Sequence, residues 1–478
     1  MAGLPVMTRK KMRMEKDSLG EKEIPEDAYY GVQTQRAMEN FPVSGIRAHP
    51  TMIRATVLIK KAAAKVNMNL GMLEKKKGEA ILKAAEEILK EKLQNQFVVD
   101  VFQAGAGTSH NMNTNEVIAN RGIEILGGKK GDYSSIHPND DVNMSQSTND
   151  VIPTAIRLAG LDLLSQFLPN LERLKEAFLD KGRAFDGIVK SGRTHLQDAV
   201  PVRLGQEFGA YGKMMESHSR RIANAMEELK VLGIGGTAAG TGMNAHPEYP
   251  QRMVEFLSKE TGFELKEAED RFEAMQSMAP FVAVSSALKN LAVDLTKIAN
   301  DLRLMDSGPR TGLSEIHLPP VQPGSSIMPG KVNPVMAEML NMVCFYVIGQ
   351  DLTITLASQA GQLELNVMMP LIAFSLLHSI EVLKNGVKAF TERCVSGITA
   401  DEERCREYAE RSVALATALN STIGYQKAAE AVKEAIAKGK PLRRVIEEKK
   451  ILSSEDLKKV LDLQRLTEIG IPGQKNEK

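Results

Sequence analysis

A short loop at residues 324–334 concentrates the groups that could do chemistry. Ser325 and Ser326 supply hydroxyls, Lys331 an ammonium and Asn333 an amide, all within nine residues. Glycines and prolines interrupt the segment, so it cannot continue a helix. Polar loops between rigid elements are where reactive groups are usually presented. An ordinary surface turn with incidental serines is the alternative, and the clustering of donors favours a functional loop.

Three more polar segments stand before helical patterns. Their candidate residues are Thr108 and Ser109, then Ser147, Thr148 and Asn149, then Thr194 and His195. Backbone N–H groups at the start of a helix attract anions, and nearby hydroxyls add donors. Simple N-capping by one serine or threonine is the alternative. Capping needs a single such residue, and several polar residues accompany Thr108, which favours an anion site.

His195 is the histidine that lies inside one of these hydroxyl-rich segments. A lone histidine is more often structural than catalytic. Its position beside Thr194 favours a role in moving a proton, because histidine titrates near neutral pH.

Together these groups suit a small anion with more than one carboxylate, for which Lys331 supplies the countercharge. No phosphate-binding loop and no metal-ligand spacing is found, so we expect neither nucleotide chemistry nor a metal site. Ser325 is the candidate base, since glycine-loop N–H groups and Lys331 would lower the cost of ionising it. Loss of a proton α to a carboxylate gives an enediolate, which preorganised donors stabilise.

Apolar periodicity predicts a mainly helical chain that positions these loops. Helical patterns cover residues 51–92, 202–232, 279–305, 334–356 and 360–395, and a long one follows Asp150. Gly71 and Gly78 are predicted to divide the first pattern, and Pro169 to kink the long one without ending it. The glycine-rich bend at residues 233–242 has no predicted strand before it, which argues against a dinucleotide-binding unit.

Composition excludes several partners. The 478 residues carry a formal net charge of +1, which argues against nucleic acid or an anionic membrane surface. We expect no window to be long and apolar enough for a membrane span, and no secretory signal follows the early basic residues. That basic run, which includes Arg13, is predicted to be a disordered tail. Three widely spaced cysteines, Cys344, Cys394 and Cys405, fit a reducing cytoplasm.

The two last long helical patterns are apolar over most of their faces. Helices of this kind must be buried by other helices, within the chain or in another subunit. We therefore expect a helical bundle that forms an oligomer.

Residues 324–334 resemble the signature loop of the aspartase/fumarase superfamily, and residues 105–113, 145–150 and 192–201 resemble its other motifs in family order. The resemblance implies a mainly α, three-domain fold, with a mostly helical domain at 1–146, a central long-helix bundle at 147–400 and a small helical domain at 401–478. It also implies a homotetramer with a twenty-helix core, active sites shared by three subunits and no organic cofactor.

The resemblance also assigns roles to residues that match the family's motifs. Ser325 matches the base that takes the Cβ proton. One set of family residues holds the carboxylate that becomes the enediolate. In this sequence the matching residues are Thr108, Ser147, Thr148 and Ser326. The clamp on the other carboxylate matches Thr194, Lys331 and Asn333. Asn149 and His195 match positions near the leaving amine or hydroxyl, and Glu338 matches an acid without an assigned role.

Two members of the family fit the sequence, and a third interpretation lies outside it. The segments around Ser109, at 146–148 and at 361–364 resemble aspartate ammonia-lyases, which release ammonia from L-aspartate to give fumarate. Residues 137–140 resemble the second dicarboxylate site of class II fumarases, which interconvert L-malate and fumarate. A dicarboxylate-binding or scaffold protein without catalysis is the remaining alternative, and a binder has no need of Ser325 as a base.

Overall fold

The computed structural model describes residues 11–474, and helices dominate it. The α-helices are α1 Val32–Asn40, α2 Pro50–Asn69, α3 Lys75–Leu89, α4 Thr108–Ile125, α5 Thr148–Ala184, α6 Leu204–Leu229, α7 Tyr249–Thr261, α8 Arg271–Gln276, α9 Ala279–Met305, α10 Val335–Gln359, α11 Met369–Arg393, α12 Glu402–Arg411, α13 Ala416–Ile423, α14 Tyr425–Lys438, α15 Leu442–Glu448 and α16 Ser454–Val460. The predicted mainly α class is confirmed.

The strands are short and pair locally. They are β1 Met12–Asp17, β2 Gly20–Pro25, β3 Val189–Thr194, β4 Gln197–Arg203, β5 Val231–Leu232, β6 Lys266–Glu267, β7 Ile316–His317 and β8 Thr399–Ala400. Within residues 11–474 they form the two-stranded sheets β1–β2, β3–β4, β5–β6 and β7–β8. Of these four described pairs, β5–β6 is the parallel one.

The long helices follow the apolar periodicity closely. The predicted pattern at residues 279–305 is α9, whose regularly spaced Leu288, Leu291 and Leu295 are fully or almost fully buried. The helix α5 continues through Pro169, as predicted.

Two predictions about glycines were wrong. Gly78 does not divide a helix but lies inside α3, where it packs against the side chain of Met68. The glycine-rich bend does follow a strand, because β5 ends directly before Gly233. Gly71 does mark a division, since it follows α2 with φ +73°.

The basic N-terminal run was predicted to be a disordered tail, and this prediction was wrong for Arg13. The residues of the run up to residue 10 lie outside the described residues. Arg13 belongs to β1, forms an ion pair with Glu15 and donates to the carbonyls of Pro25, Ala28 and Tyr30. Its guanidinium therefore fastens β1 to the segment that enters α1.

The chain divides into two compact units whose boundaries fall inside long helices. Unit 1 comprises Met1–Leu168, Arg220–Asn290 and Phe345–Leu383, and unit 2 comprises Pro169–Ser219, Leu291–Cys344 and Lys384–Lys478. Unit 1 contains a core cluster of residues from α2, α3 and α4, and unit 2 contains one built on α13 to α16. The division into domains 1–146, 147–400 and 401–478 stays a prediction.

Within residues 11–474, two helices are long and apolar enough to cross a membrane, so the expectation that no window reaches that length was wrong. The apolar window of α5 is 78% buried within the chain, as in the core helix of a soluble protein, whereas that of α10 is only 33% buried. The exposed side of α10 bears on assembly, as described below.

The three cysteines are buried and unpaired. Burial raises the pKa of each thiol to about 12. A thiol with such a pKa is inert at neutral pH.

Candidate active site

In unit 1, the start of α4 has the properties of an anion site. The N-cap is Gly107, with φ +87°, so neither Thr108 nor Ser109 caps the helix as the simple alternative required. The first N–H groups of a helix lack partners within the helix. The Gln103 side chain accepts the N–H of His110 at 2.7 Å. The N–H groups before it stand beside the exposed hydroxyl of Thr108, where an anion could accept from them.

The start of α5 is capped from within. The hydroxyl of Ser147 accepts the N–H of Asn149 at 3.2 Å, and the Asp150 carboxylate accepts the N–H of Ser147 at 2.9 Å. This is the reciprocal arrangement of a capping box. Ser147 thus orients the helix end that carries Thr148 and Asn149.

A side-chain hydrogen bond places the first turns of α4 and α5 next to each other. The amide of Asn111 donates to the Thr148 hydroxyl at 3.1 Å. It also donates to Oδ1 of Asn143 at 3.2 Å, and the same oxygen accepts from Asn115 at 3.2 Å. Two helix N-termini, each with a threonine, therefore lie within side-chain reach of each other.

This hydrogen-bond network begins at a buried cation. Lys60 on α2 is fully buried, and its ammonium donates to Oδ1 of Asn143 at 2.8 Å. Burial lowers the pKa of Lys60 to about 7, although the Asp150 carboxylate acts in the opposite direction. The network thus connects an ammonium to the Thr148 hydroxyl through two amides.

The glycine-rich bend after β5 supports the start of α5. Gly235 and Thr237 donate their N–H groups to Asp150 at 2.9 and 3.1 Å, and Asn149 donates to the Ala238 carbonyl at 2.8 Å. Burial raises the pKa of Asp150 to about 6, while these N–H donors work against that rise. The bend therefore supports the helix end that carries Thr148 and Asn149.

In unit 2, the loop at residues 324–334 is closed by its own backbone. The N–H of Gly324 donates to the Lys331 carbonyl at 2.7 Å, and the Asn333 side chain donates to the Gly324 carbonyl at 2.7 Å. A side chain at Gly324 would collide with the backbone of Val332 and Asn333. Asn333, predicted to hold substrate, thus also fixes the two ends of the loop.

Ser325 sits inside this closed loop as an acceptor. Its hydroxyl oxygen accepts the N–H groups of Ile327 at 3.2 Å and Met328 at 2.9 Å. Ser326 and Lys331 are exposed on the same loop. Within residues 11–474, no carboxylate lies within ion-pair distance of Lys331, so its charge is available to a ligand.

Thr194 and His195 lie at the tip of the β3–β4 hairpin. Thr194 pairs with Gln197, so His195 and Leu196 form a two-residue turn with φ +55° and +58°. Such a turn favours asparagine and glycine, because other residues are strained at positive φ. Both predicted site residues are exposed, and no described side chain in unit 2 hydrogen-bonds to either.

The structure therefore collects the predicted residues in three places. Thr108, Ser147, Thr148 and Asn149 lie together in unit 1; Ser325, Ser326, Lys331 and Asn333 lie together in unit 2; Thr194 and His195 form a separate tip in unit 2. Glu338 lies in the first turn of α10, directly after the loop. Their assignment to one active site stays a prediction.

Residues 137–139 line a cavity of about 520 Å³ in unit 1, together with Ser109 and Arg36. His137 accepts the N–H groups of Asn139 and Asp140 through Nδ1, both at 3.2 Å. His137 is the N-cap of a short π-helix over Pro138–Val142.

Sequence reasoning missed the residues that support the site. Lys60, Asn143 and Asp150 touch or orient the candidate groups, yet none was singled out. Lys60 gave a usable signal, because it occupies the buried stripe of α2 between Val57 and Ala64. A lysine at an apolar position of an amphipathic helix indicates a buried partner.

Comparisons with known proteins agree with this architecture. A family model described as Lyase matches residues 20–349, and one described as Fumarase C C-terminus matches residues 415–468. The aspartate ammonia-lyase of Bacillus sp is 52% identical over 464 residues, which is 97% of this chain and 99% of that protein. The class II fumarate hydratase of Halobacterium salinarum is 50% identical over 460 residues, 96% of this chain and 98% of that protein.

A solved structure has the same fold. It is described as fumarate lyase:delta crystallin from Brucella melitensis bound to cobalt, is 50% identical, and covers 96% of this chain and 100% of its own with a TM-score of 0.93. The predicted fold and enzyme class are confirmed, which removes the basis for a scaffold without catalysis. By family model, sequence and fold alike, the chain belongs to the aspartase/fumarase superfamily of lyases.

Proposed function

We propose that this lyase is an aspartate ammonia-lyase, which eliminates ammonia reversibly from L-aspartate to give fumarate. Ser325 is the base, and the reaction passes through an enediolate. The substrate is a small dicarboxylate, and the enzyme acts in the cytoplasm, the compartment that suits three unpaired cysteines.

The contact geometry of Ser325 carries this proposal. A serine hydroxyl is a weak base unless its ionised form is stabilised. Two N–H groups, from Ile327 and Met328, already point at the oxygen that would carry the charge. Fixed donors of this kind stabilise an oxyanion without reorganisation. The loop thus has the geometry that a serine base requires.

The reaction balances with these groups. The ionised oxygen of Ser325 takes the Cβ proton and becomes a neutral hydroxyl, and the C–H electron pair moves toward the adjacent carboxylate to form the enediolate. The pair then returns to form the Cα–Cβ double bond as the C–N bond breaks. Thr108, Thr148 and Ser326 are proposed to hold the carboxylate that gains charge, with Ser147 beside them. Thr194, Lys331 and Asn333 are proposed to hold the other.

The leaving group distinguishes the two candidate reactions. The ammonium of L-aspartate departs as neutral ammonia and needs no added proton. The hydroxyl of L-malate departs as water only when a proton donor assists. Asn149 and His195 are proposed to lie near this group. Class II fumarase remains the alternative, because a protein of that name is 50% identical to this chain.

Assembly into a homotetramer completes the proposal. The helix α10 exposes Met342, Phe345, Leu352 and Leu356. These positions repeat with the spacing of a heptad seam, which packs against other helices. An exposed apolar stripe on a long helix marks an interface. We propose that copies of this chain cover it, in a twenty-helix core with active sites shared by three subunits.

One assay tests the reaction. Purified protein is mixed in parallel with L-aspartate, L-malate and fumarate, and the ultraviolet absorbance of fumarate is followed. We expect absorbance to rise with L-aspartate. Conversion of L-malate and fumarate with no response to L-aspartate would instead establish the fumarase alternative. Binding of fumarate without any turnover would refute both reactions.

A further inference from the structure

We propose that Arg193 and Glu315 are positioning residues that hold the Thr194–His195 hairpin tip in its strained form. The inference rests on the proposed function for its kinetic consequence, but its structural part can be tested without any substrate. Neither residue is among the groups that the family resemblance assigns to the site.

The tip cannot hold its own shape. His195 and Leu196 both have positive φ, and Leu196 is 71% exposed, so packing within the described chain does not impose the turn. Backbone strain of this kind persists only when the surroundings over-determine it. Within the described chain, the constraint therefore comes from the base of the hairpin.

A buried ion cluster lies directly at that base. Nη1 of Arg193 donates to both carboxylate oxygens of Glu315, at 2.9 and 3.0 Å. The ammonium of Lys190 lies 3.0 Å from the same carboxylate and 3.0 Å from Glu207. Glu315 is fully buried, and the four charges sum to zero. Burial would lower the pKa of Lys190, but Glu207 and Glu315 outweigh it and raise that pKa.

The β3–β4 pairing is irregular between the two cations that contact Glu315. Lys190 and Arg193 are three positions apart, so in a regular strand they would point to opposite faces. The register shifts between Ser191 and Arg193: Ser191 pairs with Pro201 and Arg193 pairs with Asp198, so Gly192 on β3 faces two residues of β4, Ala199 and Val200. A side chain at Gly192 would come within 2.6 Å of the Val200 carbonyl. The absence of a side chain at Gly192 thus lets the bulged strand β4 lie close to β3 between the two cations.

Glu315 is itself rigidly anchored. Its N–H donates to the Met305 carbonyl at 2.8 Å, and its carbonyl accepts the N–H of Asp401 at 3.0 Å. The next residues pair as β7 with β8. The same segment then leads into the loop that carries Ser325. Because the backbone of Glu315 is fixed by these hydrogen bonds, its ion pair with Arg193 also restrains Arg193. Arg193 immediately precedes Thr194.

The variant Arg193→Gln tests this role with the least risk to folding. Lys190 remains to pair with Glu315, and the Arg193 side chain is only partly buried. The matched control is Arg203→Gln, which removes a cation from the partner strand β4, where it pairs with the more exposed Asp186. Arg193→Lys restores the charge and serves as the conservative variant.

Hydrogen exchange by mass spectrometry is the first readout. We expect amides 194–198 to exchange about tenfold faster in Arg193→Gln. The variant lacks one charge-assisted hydrogen bond that stabilises the closed hairpin, so local opening becomes more frequent. The rest of unit 2 should be unchanged, Arg203→Gln should match the wild type at the tip, and Arg193→Lys should recover part of the protection. An unchanged tip, or faster exchange throughout unit 2, would overturn the proposal.

Kinetics is the second readout. With L-aspartate, we expect KM to rise about tenfold in Arg193→Gln and kcat to fall less, because a displaced Thr194 weakens substrate binding. Thr194→Ala should then add little to Arg193→Gln, whereas additive effects would contradict action through the tip. If the wild type does not turn over L-aspartate, the proposed function fails, and hydrogen exchange alone decides the positioning role.

Discussion

At the scale of single residues, the sequence predicted the reactive groups better than their partners. Ser325, Lys331 and Thr108 stand out by type and spacing. The two N–H groups that face Ser325 could not be foreseen, because almost every residue has an N–H and only the loop's backbone path decides its direction. Lys60 and Asn143 were missed because their contact joins positions 83 residues apart.

Ser325→Ala should remove most turnover and leave the fold intact. Within residues 11–474, its hydroxyl accepts from the N–H groups of Ile327 and Met328, which are both exposed residues, so its loss leaves no buried group unpaired. We expect kcat to fall by roughly 10²–10⁴, the usual contribution of a general base.

Steady-state kinetics with L-aspartate gives this value, and circular dichroism checks the fold. Ser326→Ala is the neighbouring control, with a weaker effect expected mainly on KM. Near-normal kcat in Ser325→Ala would show that another group is the base.

Lys60→Met should remove a pH dependence of stability. The pKa of Lys60 is about 7 in the folded protein, against 10.5 for an ordinary lysine side chain in water. Between these values the unfolded state binds more protons, so the free energy of unfolding rises with pH. Across the window this contribution is on the order of 5 kcal/mol. We expect the variant to lose that slope.

Urea unfolding at several pH values between about 7 and 10 measures the slope. The control is Lys61→Met, since Lys61 is partly exposed and pairs with Glu260. Equal slopes for wild type and Lys60→Met would show that the Lys60 ammonium is not desolvated as described.

At the scale of elements, the long helices were predictable and the short strands were not. The helix α9 has the predicted bounds because its apolar period repeats over many turns within one continuous segment. The strands β5 and β6 have two residues each and pair across more than thirty positions, so no local pattern reveals them. The residue types of the hairpin turn were also not predictable, because His195 and Leu196 occupy positions of positive φ where glycine or asparagine is usual.

The close approach of α6 to the end of α5 predicts opposite effects for two nearby glycines. A side chain at Gly205 would lie 2.6 Å from Cα of Asp186, whereas one at Gly209 would meet nothing within 4 Å. Gly205→Ala should therefore cost about 2 kcal/mol through overpacking. Gly209→Ala should stabilise α6 by roughly 0.5–1 kcal/mol.

Thermal or chemical unfolding of both variants decides the point, and each variant is the other's control. Equal effects of the two substitutions would mean that the two backbones do not approach as closely as the structure has them.

At the scale of the whole molecule, hydropathy alone does not predict which surface covers an apolar helix. Both α5 and α10 are long and apolar enough to cross a membrane, but the chain buries 78% of the apolar window of α5 and only 33% of that of α10. A sequence carries the amount of apolar surface but not the identity of the surface that buries it. We expected an oligomer because the last two long helical patterns are apolar over most of their faces.

Charges placed on the α10 stripe should dissociate the assembly. Phe345→Glu together with Leu352→Glu would bury carboxylates in an apolar interface, which costs several kcal/mol for each chain. We expect a smaller particle in analytical ultracentrifugation, and loss of activity as shared active sites separate.

Ile436→Glu is the control, because Ile436 is a similarly exposed apolar residue on α14. An undiminished particle size in the double variant would place the interface elsewhere.

The burial of all three native thiols has a practical consequence for following the loop around Ser325. A maleimide dye reacts with thiolates, and none of these cysteines offers one at neutral pH. Ile327 is 83% exposed on that loop, so Ile327→Cys should take up a single fluorophore per chain without removing any native cysteine. Its emission would then report directly whether the loop closes when a dicarboxylate arrives.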